Sequence, residues 1–306
     1  MFVEPGAGSP EIHHVVTQAK PHEGIFWRKL AHWGASQGPE WLVRYSPPFF
    51  GAAAAVLVPS ARKAVKRNLQ RIRGDVSPFR DAWEIGATFA SFASCFTEVL
   101  SNDAKSGFRP PEATVYGERH IHAALRAKKG AVLVTAHTGG WESVGALLGR
   151  EYQVPMMFVM QPEADEEARS IQDQARRRAG VQITHVSEDD PLASLPLLRH
   201  LREGGIVGIQ LDRTGRGMRA HEVELLGQRA LIPAGPIRLA QISGAPVMPV
   251  FCARVGYRKY VVEAFETVQV DRHASDDERA RAAQVLADCL SSFLQRHPTQ
   301  WFKWSA

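Results

Sequence analysis

The stretch that decides the fold is "GAVLVTAHTGGWESVGALLG", Gly130 to Gly149. Ala131, Val132, Leu133, Val134 and Thr135 run without a charged residue, and an unbroken apolar run of this length reads as a strand covered on both faces. His137 follows, then Thr138 with the pair Gly139-Gly140, then Trp141 and Glu142 in what reads as the first turn of a helix over 141–149. Strand, glycine turn and helix together make one βα unit of a mostly parallel sheet.

The same pattern extends on both sides. Strands are expected at 131–136, 154–160, 181–186, 206–211 and 245–255, with 259–265 returning after a Gly-Tyr turn, and helices at 141–149, 164–179, 191–203 and 235–243. The first third is different: in "FRDAWEIGATFASFASCFTEVL" (Phe79 to Leu100), Ile85, Phe89, Phe92, Phe96 and Val99 form a helical stripe expected to be core. With no repeat and no low-complexity linker, the simplest partition is a helical N-terminal extension, 1–110, packed on an α/β core, 111–306, as one structural domain.

The 306 residues and 44% hydrophobic content are ample for a sizeable core. Lys plus Arg number 37 against 32 Asp plus Glu, and the excess gathers in "SARKAVKRNLQRIRG" (Ser60 to Gly74) and "ARRRAG" (Ala175 to Gly180). These are either solvated helix faces or a surface for anionic head groups, phosphates or an acidic carrier. Cys95, Cys252 and Cys289 are scattered, which suggests a reducing compartment and core packing in place of disulfides, zinc or thiol catalysis. "MFVEPGAGSPEIHHVV" lacks the basic-then-apolar order of a secretory signal, so a cytoplasmic protein is expected. No segment approaches the roughly 20 apolar residues of a bilayer span. "GIFWRKLAHWGA" (Gly24 to Ala35) places Phe26, Leu30 and Trp33 on one helical face, either an interfacial helix or one folded on its own core.

In sheets of this kind reactive groups gather at the carboxyl ends of strands, where loops lead into helix N-termini. His137 stands at that point, and Glu142 where the helix dipole favours an anion. Across the glycine turn the carboxylate can hold one ring nitrogen and leave the other to take a proton. A capping Glu beside a structural His is the alternative reading, but two glycines that clear room for close approach favour the catalytic one. There is no Gly-x-Ser-x-Gly elbow, so the attacking group would be the substrate's own hydroxyl or amine.

Two further stretches stand out. In "GGIVGIQLDRTGRG" (Gly204 to Gly217), Asp212 and Arg213 end another buried strand and either face the same cleft or cap a turn as a local salt bridge. Gly215, Gly217 and Ala220 spell GxGxxA, but "HEVELLGQRALIP" after it reads as a strand or hairpin, so the dinucleotide fingerprint fails its context. "LIPAGPIRLAQISGAPVMPVF" (Leu231 to Phe251) reads as a loop, helix and strand that form core or an apolar wall.

These three blocks in this order, with "KRNLQRI" (Lys66 to Ile72) before them and "RHPTQWFKW" (Arg296 to Trp304) after, resemble the lipid A biosynthesis acyltransferase family of the lysophospholipid acyltransferase-like superfamily, from about residue 25 onward. The resemblance implies a three-layer α/β/α sandwich and transfer of a fatty acyl chain from an acyl carrier protein or CoA thioester to a hydroxyl or amine of a glycolipid or lipid precursor. It implies no covalent acyl-enzyme, no bound cofactor, no metal and no nucleic acid, and a place on the inner membrane face. His137 matches the general base and Glu142 its acidic partner in His-x4-Asp/Glu. Asp212 and Arg213, with Thr138, Gly139, Gly140 and Trp141, fall where substrate or oxyanion is bound. Arg177 or Arg178, before Gly180, falls where phosphate or carrier is met.

The chain departs from the pattern in having Gly140 where Asn is common, Leu225-Leu226-Gly227 in place of Phe-Phe-Gly, and a weaker N-terminal anchor. The last departure keeps open a soluble acceptor. A non-catalytic lipid-binding protein of the same fold, and a thioester hydrolase, are the other readings.

Overall fold

The structure is a computed structural model, which describes residues 38–101, 111–160, 182–185, 194–215 and 217–304. The expected amphipathic helix at 24–35, the helix at 164–179, and Arg177 and Arg178 lie outside the described residues.

Among the described residues four helices come first: α1 (Glu40–Tyr45), α2 (Pro47–Leu57), α3 (Pro59–Arg73) and α4 (Pro78–Leu100). Three of them open on a proline, whose missing N–H costs nothing in a first helical turn. α3 and α4 are clamped by ion pairs: Asp81 accepts from Arg73 at 2.8 Å and pairs with Lys66 at 2.9 Å, and Glu84 accepts from Arg80 at 2.8 Å and from Arg73. The basic stretch around α3 is thus partly consumed inside the molecule, while Arg62, Lys63 and Arg67 stay exposed.

The core follows as β1 (Glu112–Tyr116), α5 (Glu118–Arg126), β2 (Ala131–Thr135), α6 (Trp141–Glu151), β3 (Met156–Met160), β4 (Gln182–His185), α7 (Leu195–Arg202), β5 (Ile206–Gln210), the hairpin β6 (Ala220–Leu225) and β7 (Gln228–Pro233), α8 (Gly235–Ser243), β8 (Val247–Gly256), β9 (Lys259–Ala264) and α9 (Asp276–Arg296), with a 3-10 turn at Pro298–Gln300. Seven strands form one sheet in the order β1-β9-β8-β2-β5-β3-β4, parallel throughout except for the β8–β9 pair. β6 and β7 pair only with each other, turning on Leu226 and Gly227 at φ +54° and +72°, so the hairpin expected after the false fingerprint is present. β1 was not expected as a strand; its alternating exposed and half-buried residues mark a sheet edge.

β2 is buried at all five positions because both sheet faces are covered. Val132 and Val134 pack with Leu201 of α7, Ile237 of α8 and Leu290 and Phe293 of α9, whereas Ala131 and Leu133 pack with Cys95 of α4, Ile121 of α5 and Val144 of α6. Side chains alternating along one strand therefore meet different helix layers, which makes the fold an α/β/α sandwich.

α2 lies against α4 at Gly51, where a Cβ would overlap the carbonyl of Phe89 and Cα of Ala90. The α4 stripe holds at Ile85 and Phe89, which are buried, but Phe92 is 38% exposed and packs edge-on against Phe302 and Trp304, with ring centres 5.4 and 5.0 Å away. Gly86, on the same helix, has open space where a Cβ would go. Gly51→Ala is expected to destabilise by about 1–3 kcal/mol through forced helix separation, and Gly86→Ala to stabilise by up to about 1 kcal/mol. Urea unfolding of both variants checks the pair; equal effects would contradict the α2–α4 contact.

Candidate active site

β2 and β5 are parallel neighbours with Thr135 opposite Gln210, and the Leu211 amide continues the ladder by donating to the Thr135 carbonyl at 2.8 Å. The same offset of 75 residues carries His137 alongside Asp212. Nδ1 of His137 is 2.8 Å from Asp212 Oδ1, and the His137 backbone amide donates to the same oxygen at 3.1 Å. The other oxygen, Oδ2, accepts from the indole Nε1 of Trp301 at 2.9 Å. Burial alone would push this carboxyl up, but the His137 charge and hydrogen bond, the Trp301 indole and the neighbouring Arg213 together bring its pKa down to about 2. With Asp212 ionised, Nδ1 carries the ring hydrogen and the lone pair is left on Nε2.

A strap from the end of the chain closes this corner. The Phe302 amide donates to the His137 carbonyl at 2.7 Å, Thr138 and Trp301 form an antiparallel bridge, and Arg213 Nη2 donates to the Phe302 carbonyl at 3.0 Å. Asn68 of α3 secures the strap by donating to the Lys303 carbonyl at 2.7 Å.

The glycine pair is demanded by the protein's own packing. A Cβ on Gly139 would overlap Gln300 Oε1, and one on Gly140, at φ +77°, would run into the Tyr260 ring. The room that the sequence assigns to an approaching substrate is occupied by Gln300 and Tyr260. Both are tied down: Gln300 accepts from the Arg254 amide at 3.0 Å and donates to Ser91 Oγ at 3.1 Å. The buried carboxylate of Glu98 accepts from the Tyr260 hydroxyl and from Arg254 Nε, the latter at 2.8 Å.

His137, Thr138, Gly139, Gly140, Trp141, Asp212 and Arg213 thus lie at the carboxyl ends of β2 and β5. The pairing within that set is corrected in two places. The carboxylate on His137 Nδ1 is Asp212, not Glu142, because strand register brings residue 212 alongside residue 137, while Glu142 sits half-buried in the first turn of α6. The Thr138 amide, an expected oxyanion donor, is committed to the Ala136 carbonyl at 2.7 Å. Sequence reading missed Trp301, Gln300, Tyr260 and Glu98. The first two sit in the quoted "RHPTQWFKW", whose density of aromatic and amide side chains was the available signal.

Trp141 leans on Phe158, ring centres 5.2 Å apart, over an apolar crevice lined by Leu133, Val144, Leu148 and Cys252 with only about 10 Å³ of free space. A larger opening of about 610 Å³, between Trp41, Tyr45, Tyr257 and Lys259, shares no lining residue with the His137 corner. Among the described residues no three His, Cys, Asp or Glu side chains gather as a metal site.

The sandwich thus carries a histidine held by a buried carboxylate at a strand end, and the sequence has no Gly-x-Ser-x-Gly elbow. The chain matches the family described as bacterial lipid A biosynthesis acyltransferase over residues 17–304, belongs to that family, and is an acyltransferase. It is 24% identical over 281 residues to the phosphatidylinositol mannoside acyltransferase of Mycobacterium tuberculosis (strain CDC 1551 / Oshkosh), covering 90% of this chain and 85% of that one. It is 26% identical over 260 residues to the protein of that name from Mycolicibacterium smegmatis, covering 82% and 81%.

Asp212→Asn is expected to cost about 2 kcal/mol of stability at neutral pH. Because the folded pKa lies below the unfolded one of about 3.9, the contribution is complete above that value and is lost as pH falls toward 2. The gap between wild type and variant in urea unfolding should therefore close over that window; a gap independent of pH would refute the charged state of Asp212.

Proposed function

We propose that the protein transfers a fatty acyl chain from a thioester of acyl carrier protein or CoA to a hydroxyl or amine of a lipid or glycolipid, with His137 as general base. The observation that carries this reading is the buried Asp212 on Nδ1, which leaves Nε2 as the basic nitrogen. Nε2 takes the acceptor's proton as the acceptor oxygen or nitrogen attacks the thioester carbonyl. The tetrahedral oxyanion is met by the Gly139 and Gly140 amides at the N-terminus of α6, where the helix dipole adds to the attraction. On collapse the C–S bond breaks, and the thiolate takes the proton back from the imidazolium, leaving ester or amide, free thiol and neutral His137. The acyl chain enters beside Trp141 and Phe158, where the apolar crevice must widen to take it.

A lipid acceptor fits the surface around α2 and α3. Phe49, Phe50 and Leu57 are 76%, 71% and 76% exposed, and Trp41, Tyr45 and Val56 are exposed beside them in sequence. α3, which follows, contains no acidic residue and presents Arg62, Lys63 and Arg67. Exposed apolar and aromatic residues followed by cations suit the interface of an anionic membrane. No single helix among the described residues is long and apolar enough to cross a bilayer, and the run Glu40–Leu57 meets α3 at a bend of 100°. This favours docking on the membrane over spanning by these helices.

Mass spectrometry of the protein with acyl-CoA and acyl-carrier thioesters, with and without bacterial lipid extract, tests the reaction. A lipid gaining one acyl chain is expected, with turnover falling at least about a hundredfold in His137→Ala at a temperature where the variant, destabilised by the lost hydrogen bond to Asp212, is still fully folded. Near-normal transfer by the variant would remove His137 from the mechanism. The surface is tested separately: Phe49→Ser with Phe50→Ser should abolish flotation with anionic vesicles while leaving the unfolding midpoint unchanged, and undiminished flotation would place the membrane contact elsewhere.

A further inference from the structure

Cations outnumber carboxylates at the Asp212 corner. Arg213 adjoins Asp212 in sequence and reaches the Phe302 carbonyl at 3.0 Å. Lys303 follows Phe302, and its ammonium stands 5.7 Å from the centre of the Trp301 ring, whose indole holds Asp212. Arg71 lies one turn after Asn68 on α3, the residue that secures Lys303, and donates Nη2 to the Leu225 carbonyl at 3.2 Å. Its Nε is enclosed by protein and has no acceptor among the described residues.

Among the described residues none of the three makes an ion pair, and Asp212, already engaged by His137 and Trp301, is the one carboxylate acting on Arg213 and Lys303. Burial lowers the pKa of Arg71, Arg213 and Lys303 alike, and Arg71 and Arg213 lower that of Lys303 further. Arg213 is exposed, and Arg71 and Lys303 are half-buried, so the corner is open to a ligand. Three part-desolvated cations on one spent carboxylate are unfavourable on their own and become favourable when an anion with several acceptor oxygens enters. Two planar guanidinium forks and one ammonium match a phosphate group.

We infer that Arg71, Arg213 and Lys303 form a phosphate-binding corner that opens on the His137–Asp212 pair. The anion site does not depend on the acyltransferase reading; only the source of its phosphate rests on it. That source is either the head group of the acceptor lipid or the phosphates of the thioester donor. In the first case the corner fixes the acceptor beside Nε2 of His137; in the second it anchors the carrier arm.

The test begins with binding, which needs no acyl transfer. Calorimetric titration of the full chain with inorganic phosphate at constant ionic strength should give saturable binding, weakened about tenfold or more in Lys303→Gln and in Arg71→Gln, the loss expected for one charge-assisted contact. Arg126→Gln, an exposed cation on α5, should leave it unchanged. The Lys303 ammonium holds no part of the fold by a hydrogen bond among the described residues, so that variant separates ligand loss from misfolding. No saturable binding by the wild type, or equal binding by both corner variants, would overturn the inference.

Kinetics then separate the sources. A higher KM for palmitoyl-CoA, with no change for S-palmitoyl-pantetheine, assigns the corner to the donor's phosphates. A higher KM for phosphatidylinositol as acceptor, with an unchanged KM for both thioesters, assigns it to the acceptor. Unchanged constants for all of them in variants that have lost phosphate binding would overturn a role in substrate recognition.

Discussion

The register between β2 and β5 is the constraint on which the site depends. His137 and Asp212 are separated by 75 residues of chain and meet only because Thr135 pairs with Gln210. A slip of one residue would send the two side chains to opposite faces of the sheet. The register is fixed by shape as well as by ladder hydrogen bonds. On the next strand Phe158 pairs with Gly208, and its ring fills the space that a Cβ on Gly208 or Gly145 would need. A buried parallel strand with a different side-chain volume on each face has one comfortable setting, and that setting builds the pair.

The electrostatics follow from this placement. A carboxylate removed from water is costly unless several donors replace the lost hydration. Asp212 has three, the His137 ring, the His137 amide and the Trp301 indole, and each also orients something. The ring is held in one tautomer, the backbone before the glycine turn is fixed, and the C-terminal strap is drawn across the strand ends. Glu98 plays a parallel part on the other side of the turn, where its burial is offset by Arg254 and the Tyr260 hydroxyl and its effect is to seat a ring against Gly140.

Local patterns made the fold and the place of the candidate site legible in the sequence. The apolar run at 131–135, the glycine pair and the helix after it specify a βα unit with His137 just past the carboxyl end of its strand. What a sequence does not display is which strand lies beside which, and so Glu142, near in sequence, was paired with His137 in place of Asp212, near in space. The glycines were legible as a demand for room, but whether substrate or protein uses that room depends on Gln300 and Tyr260, which arrive from distant elements. Edge strand β1 gave little signal because its residues alternate weakly and only β9 pairs with it.

The strap has a consequence for how the protein comes to exist. Trp301 reaches Asp212 across 89 positions of chain, and Phe302 supplies partners to both His137 and Arg213. During synthesis the sheet that carries His137 and Asp212 can be laid down before these residues have left the ribosome. At that moment one carboxylate oxygen, one strand-end carbonyl and one guanidinium all lack their acceptor or donor. Residues 301 and 302 supply the missing partners together, so the nascent chain holds the His137–Asp212 pair in an unfinished setting until that segment docks.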